Sequence, residues 1–200
     1  MTKASKGSRI IRGALDAVLA ERKLAEIIDE LMDKRYRGYS PKKLEKRKYH
    51  LKVGQVELEI SRGKRRGSRN PYVRVSFLRG DTKAENALFD FYEWRGFENK
   101  ELLTTFFSNC KYPNPEQITK QYLGPFESLD QLGTLTVDRG KRCVELEFNL
   151  RVLKGEIRNK IEDAIVFCLL KPMLMVGAPK YVKVLKQMRE KYLKEKYEHP

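Results

Sequence analysis

Two stretches of the sequence alternate apolar and polar residues one by one, and this period of two constrains the fold more than any other feature. The first stretch covers residues 49–60, where we expect Gly54 to mark a bulge, and continues over 73–77. The second covers 134–137 and 143–152. A polar segment containing glycine separates the two runs of each stretch, which predicts two β-hairpins.

Apolar residues spaced three and four apart predict helices before, between and after the hairpins. Residues 112–133, which are rich in proline and glycine, predict a connection with one short helix. The predicted helices cover residues 9–33, about 81–95, about 99–108, 156–170 and roughly 180–197.

The resulting order, α-ββ-α(α)-ββ-α-α, predicts an α+β fold: a four-stranded antiparallel sheet made of two hairpins, with helices packed on one face. Residues 1–175 are expected to form a single domain. Residues 176–200 predict a basic amphipathic helix that is packed on the domain or semi-detached, and that offers a possible homodimer contact. The order is similar to one half of a LAGLIDADG homing endonuclease. That family's glycine-acid helix motif is missing from the first helix, so the resemblance implies no such activity here.

The composition excludes several classes of protein. The longest apolar run, 164–170, is far short of the roughly 20 residues that cross a bilayer, so we expect a cytoplasmic protein without a membrane partner. Three widely spaced cysteines predict buried, reduced thiols. His50 and His199 cannot assemble a triad or a zinc site, and no nucleotide-binding glycine motif is present. We therefore expect no catalytic residues, no metal, no cofactor and no small-molecule substrate.

The positive charge is concentrated in one part of the chain. The whole chain carries a net charge of +15. Residues 34–79 carry sixteen lysines and arginines against only three glutamates, which gives +13 for that segment alone. A charge this localised creates a field that attracts polyanions.

This basic segment has two parts, a connector over residues 34–48 and a hairpin tip. Clustered lysines and arginines hold phosphates, and tyrosines among them can stack on unpaired bases. The candidate nucleic-acid-binding residues are Lys34, Arg35, Tyr36, Arg37, Tyr39, Lys42, Lys43, Lys46, Arg47 and Lys48 of the connector, Arg62, Lys64, Arg65, Arg66 and Arg69 of the tip, and Tyr72 and Arg74 beyond it.

The leading hypothesis from the sequence is non-catalytic binding of RNA or single-stranded DNA through the connector and the hairpin tip. A first alternative is a metal-dependent nuclease, because Glu57 and Glu59 share one strand face, as do Glu145 and Glu147. If those two strands were neighbours, the four carboxylates could hold Mg²⁺. A second alternative is a structural or assembly protein bound to ribosomal RNA or a viral genome.

Overall fold

The computed structural model describes residues 6–39, 41–45, 47–154 and 158–198. The chain begins with helix α1 (Lys6–Glu30), which continues through a π-helical segment, Leu31–Arg35, into a 3₁₀ turn, Arg37–Tyr39. The remaining elements are β1 (Lys42–Glu45), β2 (Lys48–Val53), β3 (Val56–Lys64), β4 (Pro71–Arg79), α2 (Thr82–Glu93), α3 (Lys100–Asn109), α4 (Pro115–Leu123), β5 (Gly133–Asp138), β6 (Cys143–Phe148), α5 (Leu150–Lys154), α6 (Arg158–Ala164), a π-helical segment Ile165–Leu170, α7 (Lys171–Met175) and α8 (Pro179–Glu198).

The strands form one antiparallel sheet in the order β1-β2-β3-β4-β6-β5. The predicted α+β class with an antiparallel sheet is confirmed, but the predicted number of four strands is wrong, because the sheet has six. Gly54 has φ +61° and closes a two-residue turn between Val53 and Val56, so it ends one strand and starts the next instead of marking a bulge. Residues 42–45, predicted as connector, form the additional edge strand.

The alternation of the sequence becomes the two faces of this sheet. Leu51, Leu58, Val75 and Leu146 are buried on one face, against which α1 and the π-helical segment Ile165–Leu170 pack. The side chains between them lie on the other, outer face, and most of them are polar and half-buried or exposed. Such a division is typical of an antiparallel sheet with one face on the core.

The helices begin where side chains can cap them. Asp81 accepts a hydrogen bond from the backbone N–H of Lys83 at the start of α2, and Asn99 accepts one from Leu102 in α3. Helix α8 packs on α2 and α3, with Val184 and Leu185 buried. Within the described part of the chain, no helix is long and apolar enough to span a membrane.

The strand register divides the turns between the two ends of the sheet. Lys48 pairs with Ser61, and Tyr72 pairs with Glu147, so the β1–β2 turn and the β3–β4 loop lie at the same end. The β2–β3 and β5–β6 turns lie at the opposite end, which is also where α2 begins.

Candidate nucleic-acid interface

Two basic segments that are separated in the sequence meet at one end of the sheet. The backbone N–H of Arg62 donates to the carbonyl oxygen of Arg47 across 3.1 Å, and this contact joins the β1–β2 turn to the end of β3. We call the residues Arg47, Arg62, Lys64, Arg66 and Arg69 the basic end. Like charges are held close here because the antiparallel register fixes the two turns side by side.

One carboxylate of α1 lies beside the basic end. Glu21 is 3.7 Å from the guanidinium of Arg47 and 3.8 Å from the ammonium of Lys64. A single acid therefore faces two cations, at distances longer than a direct hydrogen bond. Arg62 lies on the helix side of the sheet, where burial lowers its pKa and the nearby Asp29 opposes that effect. The basic end thus keeps an excess of positive charge.

The β3–β4 loop carries two exposed cations of the site. Arg66 and Arg69 are exposed, and among the described residues no carboxylate lies within ion-pair distance of either. Gly67, between them, has φ +84° and open space around its Cα. The loop can therefore present both guanidinium groups to a partner.

Two arginines of the predicted site are bound to an acid instead. Glu145 lies on the outer face of β6 with only 3% of its surface exposed. Its Oε1 accepts from Arg65 Nε at 2.8 Å and its Oε2 accepts from Arg74 Nε at 2.9 Å. Arg65 also approaches Glu147 to 3.8 Å. These contacts connect the loop to a strand about 80 residues further along the chain.

The predicted aromatic residues lie in different environments. Tyr36 is only 4% exposed, and burial raises its pKa to about 12, so its ring belongs to the core and is out of reach of a base. Tyr39 is 38% exposed, with its ring centroid 6.1 Å from that of Tyr36. Tyr72 is half-buried on the outer face and lies across Gly63, where an added Cβ would stand 2.9 Å from the phenol oxygen.

Gly63 therefore makes room for a tyrosine ring, whereas Gly67 leaves the loop open. The guanidinium of Arg74 lies 4.9 Å from the centroid of the Tyr72 ring. This contact is a cation–π interaction that holds the arginine and the ring together on the outer face.

The connector does not join the basic end as a whole. Lys34 pairs with Glu30, and Lys43 Nζ lies 2.9 Å from Asp29, whose other oxygen accepts from the hydroxyl of Tyr49. Burial raises the pKa of Asp29, but the hydrogen bonds from Tyr49 and Lys43 outweigh it and lower the pKa overall. These contacts are made by Asp29 and Glu30, which lie just over two helical turns further along the chain than Glu21.

Three further connector cations, Arg35, Arg37 and Lys42, are exposed, and Lys42 stands opposite His50, whose side chain lies on the outer face. Lys48 belongs to the outer face, 3.5 Å from Glu59. Lys46 lies outside the described residues. Of the predicted set, the structure thus brings together Arg47 and the hairpin tip, and it links Lys43 to the same region through Asp29, which lies near Arg62.

The four carboxylates of the nuclease alternative do lie on one face, but they are not neighbours. Strand β4 separates Glu57 and Glu59 of β3 from Glu145 and Glu147 of β6. Each group is already engaged: for example, His50 lies 3.4 Å from Glu57. In the ranges that the structure describes, no group of three His, Cys, Asp or Glu side chains is arranged to hold a metal ion.

Sequence reasoning missed Glu21, and it named Glu145 only as a candidate metal-binding carboxylate. Glu145 was recognised as outward-facing from the alternation, but nothing in its neighbourhood in the sequence indicates Arg65 as its partner. Glu21 sits within a helix whose charges look like an ordinary solvated face. Both are identified only by contacts between distant segments.

The fold and the site define an α+β chain whose six-stranded antiparallel sheet carries a cluster of cations at one end. No family model matches this chain, and neither a curated protein nor a solved structure matches it.

Proposed function

We propose that this chain binds RNA or single-stranded DNA through the basic end, without catalysis. The observation that supports the proposal is the convergence of Arg47 and Arg62, which are fifteen positions apart, beside the exposed Arg66 and Arg69. A polyanion with closely spaced phosphates is the partner that such a group of cations attracts most strongly.

The mechanism is mainly electrostatic. Lysine and arginine side chains that neutralise phosphates release the counterions condensed on the nucleic acid, which gives affinity independent of base sequence. Arginine adds a planar fork that can donate two hydrogen bonds to one phosphate. With Arg66 and Arg69 free of intramolecular acids among the described residues, their guanidinium groups need not exchange an existing partner.

An unpaired strand fits the surroundings better than a rigid duplex. Tyr72 lies half-buried on the outer face next to the loop, and Tyr39 is partly exposed in the connector, outside the basic end. Aromatic rings beside a cationic track stack bases that are not already paired, which contributes about 1–3 kcal/mol per base.

The test is a fluorescence-anisotropy titration of labelled single-stranded RNA, single-stranded DNA and duplex DNA at one salt concentration, repeated from low to high salt. The expected result is tightest binding to a single strand, with affinity falling steeply as salt rises. Affinity that barely changes with salt would contradict the electrostatic mechanism.

The matched variants differ only in where the charge is reversed. Arg66→Glu/Arg69→Glu should weaken binding at least tenfold, since two cations become two anions in the loop. Lys83→Glu/Lys183→Glu makes the same change in net charge on exposed residues of α2 and α8, away from the basic end, and should have a much smaller effect. Equal losses in the two variants would mean that net charge alone, and no particular surface, governs binding.

A further inference from the structure

We infer that Glu145 is a positioning residue of the basic end: it binds Arg65 and Arg74, keeps both guanidinium groups from phosphates, and so leaves the phosphate contacts of the loop to Arg66 and Arg69. This inference rests on the proposed function, because it states which cations of that site meet the nucleic acid. It assigns different roles to Arg65 and Arg66, two adjacent arginines of the same loop that cannot be distinguished from the sequence alone.

The geometry around Glu145 is that of an occupied carboxylate. Arg74 stands directly opposite Glu145 in the β4–β6 register, and its Nε donates to Oε2 at 2.9 Å. Arg65 reaches the other oxygen, with Nε at 2.8 Å and Nη2 at 2.7 Å from Oε1. Each carboxylate oxygen therefore has its own guanidinium, in the short, charge-assisted range.

Burial makes this arrangement hard to exchange. Glu145 is 3% exposed, so a phosphate that took Arg65 away would leave a desolvated carboxylate with one cation fewer. Removing a partner from a buried charge is strongly unfavourable. An exposed arginine that binds a phosphate gives up only its contact with water. Although the Arg65 side chain is 51% exposed, its charged group has little free energy to gain from a phosphate.

Neighbouring contacts fix the loop on both sides of its exposed part. Asn70 Nδ2 donates to Glu147 at 3.2 Å, and Asn70 Oδ1 accepts from the backbone N–H of Leu150 at 3.1 Å. With Arg65 held at the other end of the loop, residues 66–69 are the part that projects from the sheet. Glu145 and Asn70 thus set the direction in which Arg66 and Arg69 point.

The first test compares Arg65→Ala with Arg66→Ala, two adjacent changes of the same kind. Single-strand affinity should fall about three- to tenfold for Arg66→Ala, and the slope of log K against log salt should become shallower by about one. Arg65→Ala should lose less than about twofold, with the slope retained. A loss for Arg65→Ala as large as that for Arg66→Ala would overturn the inference.

The second test removes the carboxylate. Glu145→Gln should make Arg65 available, so affinity rises about threefold or more and the salt slope steepens by about one. In that background Arg65→Ala should now reverse the gain. Glu57→Gln, on the same face beside His50 and nearer the opposite end of the sheet, removes the same charge without releasing Arg65 and serves as the control. Equal gains in Glu145→Gln and Glu57→Gln would contradict a specific role for Glu145.

The outcomes separate this inference from the proposed function. If the wild-type chain shows no salt-sensitive binding, the proposed function fails. If it binds but the two loop arginines are equivalent, only the role of Glu145 fails. Circular dichroism of each variant establishes folding, and if Glu145→Gln does not fold, the comparison of Arg65→Ala with Arg66→Ala decides the question by itself.

Discussion

Arg142 and Glu85 form a two-point ion pair in which Arg142 Nε donates to Glu85 Oε2 across 2.9 Å and the second guanidinium nitrogen contacts Oε1. The pair connects the β5–β6 turn to α2. Its members are buried unequally, because the Glu85 side chain is almost completely covered and that of Arg142 is partly exposed.

This inequality predicts that Arg142→Ala destabilises the fold by about 3 kcal/mol, since it leaves a buried carboxylate without its partner. Lys141→Ala, in the same turn, removes an exposed cation paired with Asp138 and should change the free energy of unfolding far less. Urea denaturation of both variants measures the difference. Similar small changes in the free energy of unfolding for the two variants would show that water hydrates the Glu85 carboxylate when Arg142 is removed.

Two buried tyrosines give opposite predictions for the same substitution. The hydroxyl of Tyr122 is buried, and it has no hydrogen-bond partner among the described residues. Tyr92 donates to the carbonyl oxygen of Leu169 at 2.9 Å. Tyr122→Phe should therefore leave stability unchanged or raise it slightly, whereas Tyr92→Phe should lower it by about 1–2 kcal/mol. Thermal or urea unfolding distinguishes them, and a clear loss for Tyr122→Phe would reveal an unrecognised partner such as a buried water.

Lys171 provides a prediction about pH. Burial, together with the positive charge of Arg35, lowers its pKa to about 8 from the ordinary lysine value of 10.5, while Asp163 opposes the shift. Between these two pH values the unfolded chain holds a proton that the folded chain has lost, so this group makes stability rise with pH from about 8 to about 10.5. Because the side chain is half exposed, the gain should stay below about 2 kcal/mol.

The measurement compares the wild-type chain with Lys171→Met by urea denaturation at pH 7 and at pH 9.5. As the pH rises from 7 to 9.5, the wild-type chain should gain stability relative to Lys171→Met. Tyrosines and buried cysteines that titrate in the same range are present in both chains, so their contribution to the pH dependence of stability cancels in this comparison. A difference that does not depend on pH would mean that Lys171 keeps its ordinary pKa, held by the nearby ring of Phe167.

The turn between β2 and β3 predicts a large effect of adding one methyl group. Gly54 has a positive φ, and a Cβ there would stand 2.8 Å from the carbonyl oxygen of Gly177. Gly54→Ala should therefore destabilise the chain by about 2 kcal/mol. Gly38→Ala is the control, because nothing lies within 4 Å of the added atom. Chemical denaturation of the two variants provides the comparison, and equal effects would exclude the close approach as the cause.

Patterns among neighbouring residues predicted most of the strands and the starts of α2 and α3. Alternation identified most of the strands and their buried faces, and the predicted helix starts near residues 81 and 99 agree with the observed caps Asp81 and Asn99 of α2 and α3. The number of strands was wrong for two reasons. A single glycine is compatible with a bulge or with a turn, and only the pairing of Val53 with Val56 distinguishes them. The short edge strand Lys42–Glu45 was predicted as part of the connector. The concentrated charge was also evident from the sequence, and it pointed to a polyanion before any geometry was known.

Local spacing in the sequence was sufficient to identify most of the strands and helices, their apolar sides and the location of the positive charge, because each depends on nearby residues. Tertiary structure alone decided that β4 separates the two acidic strands, that Tyr36 is enclosed in the core, and that Glu145 binds Arg65 but leaves Arg66 exposed. Those features depend on contacts between residues far apart in the chain, and the packing of one hydrophobic core, not any local pattern, brings such residues together.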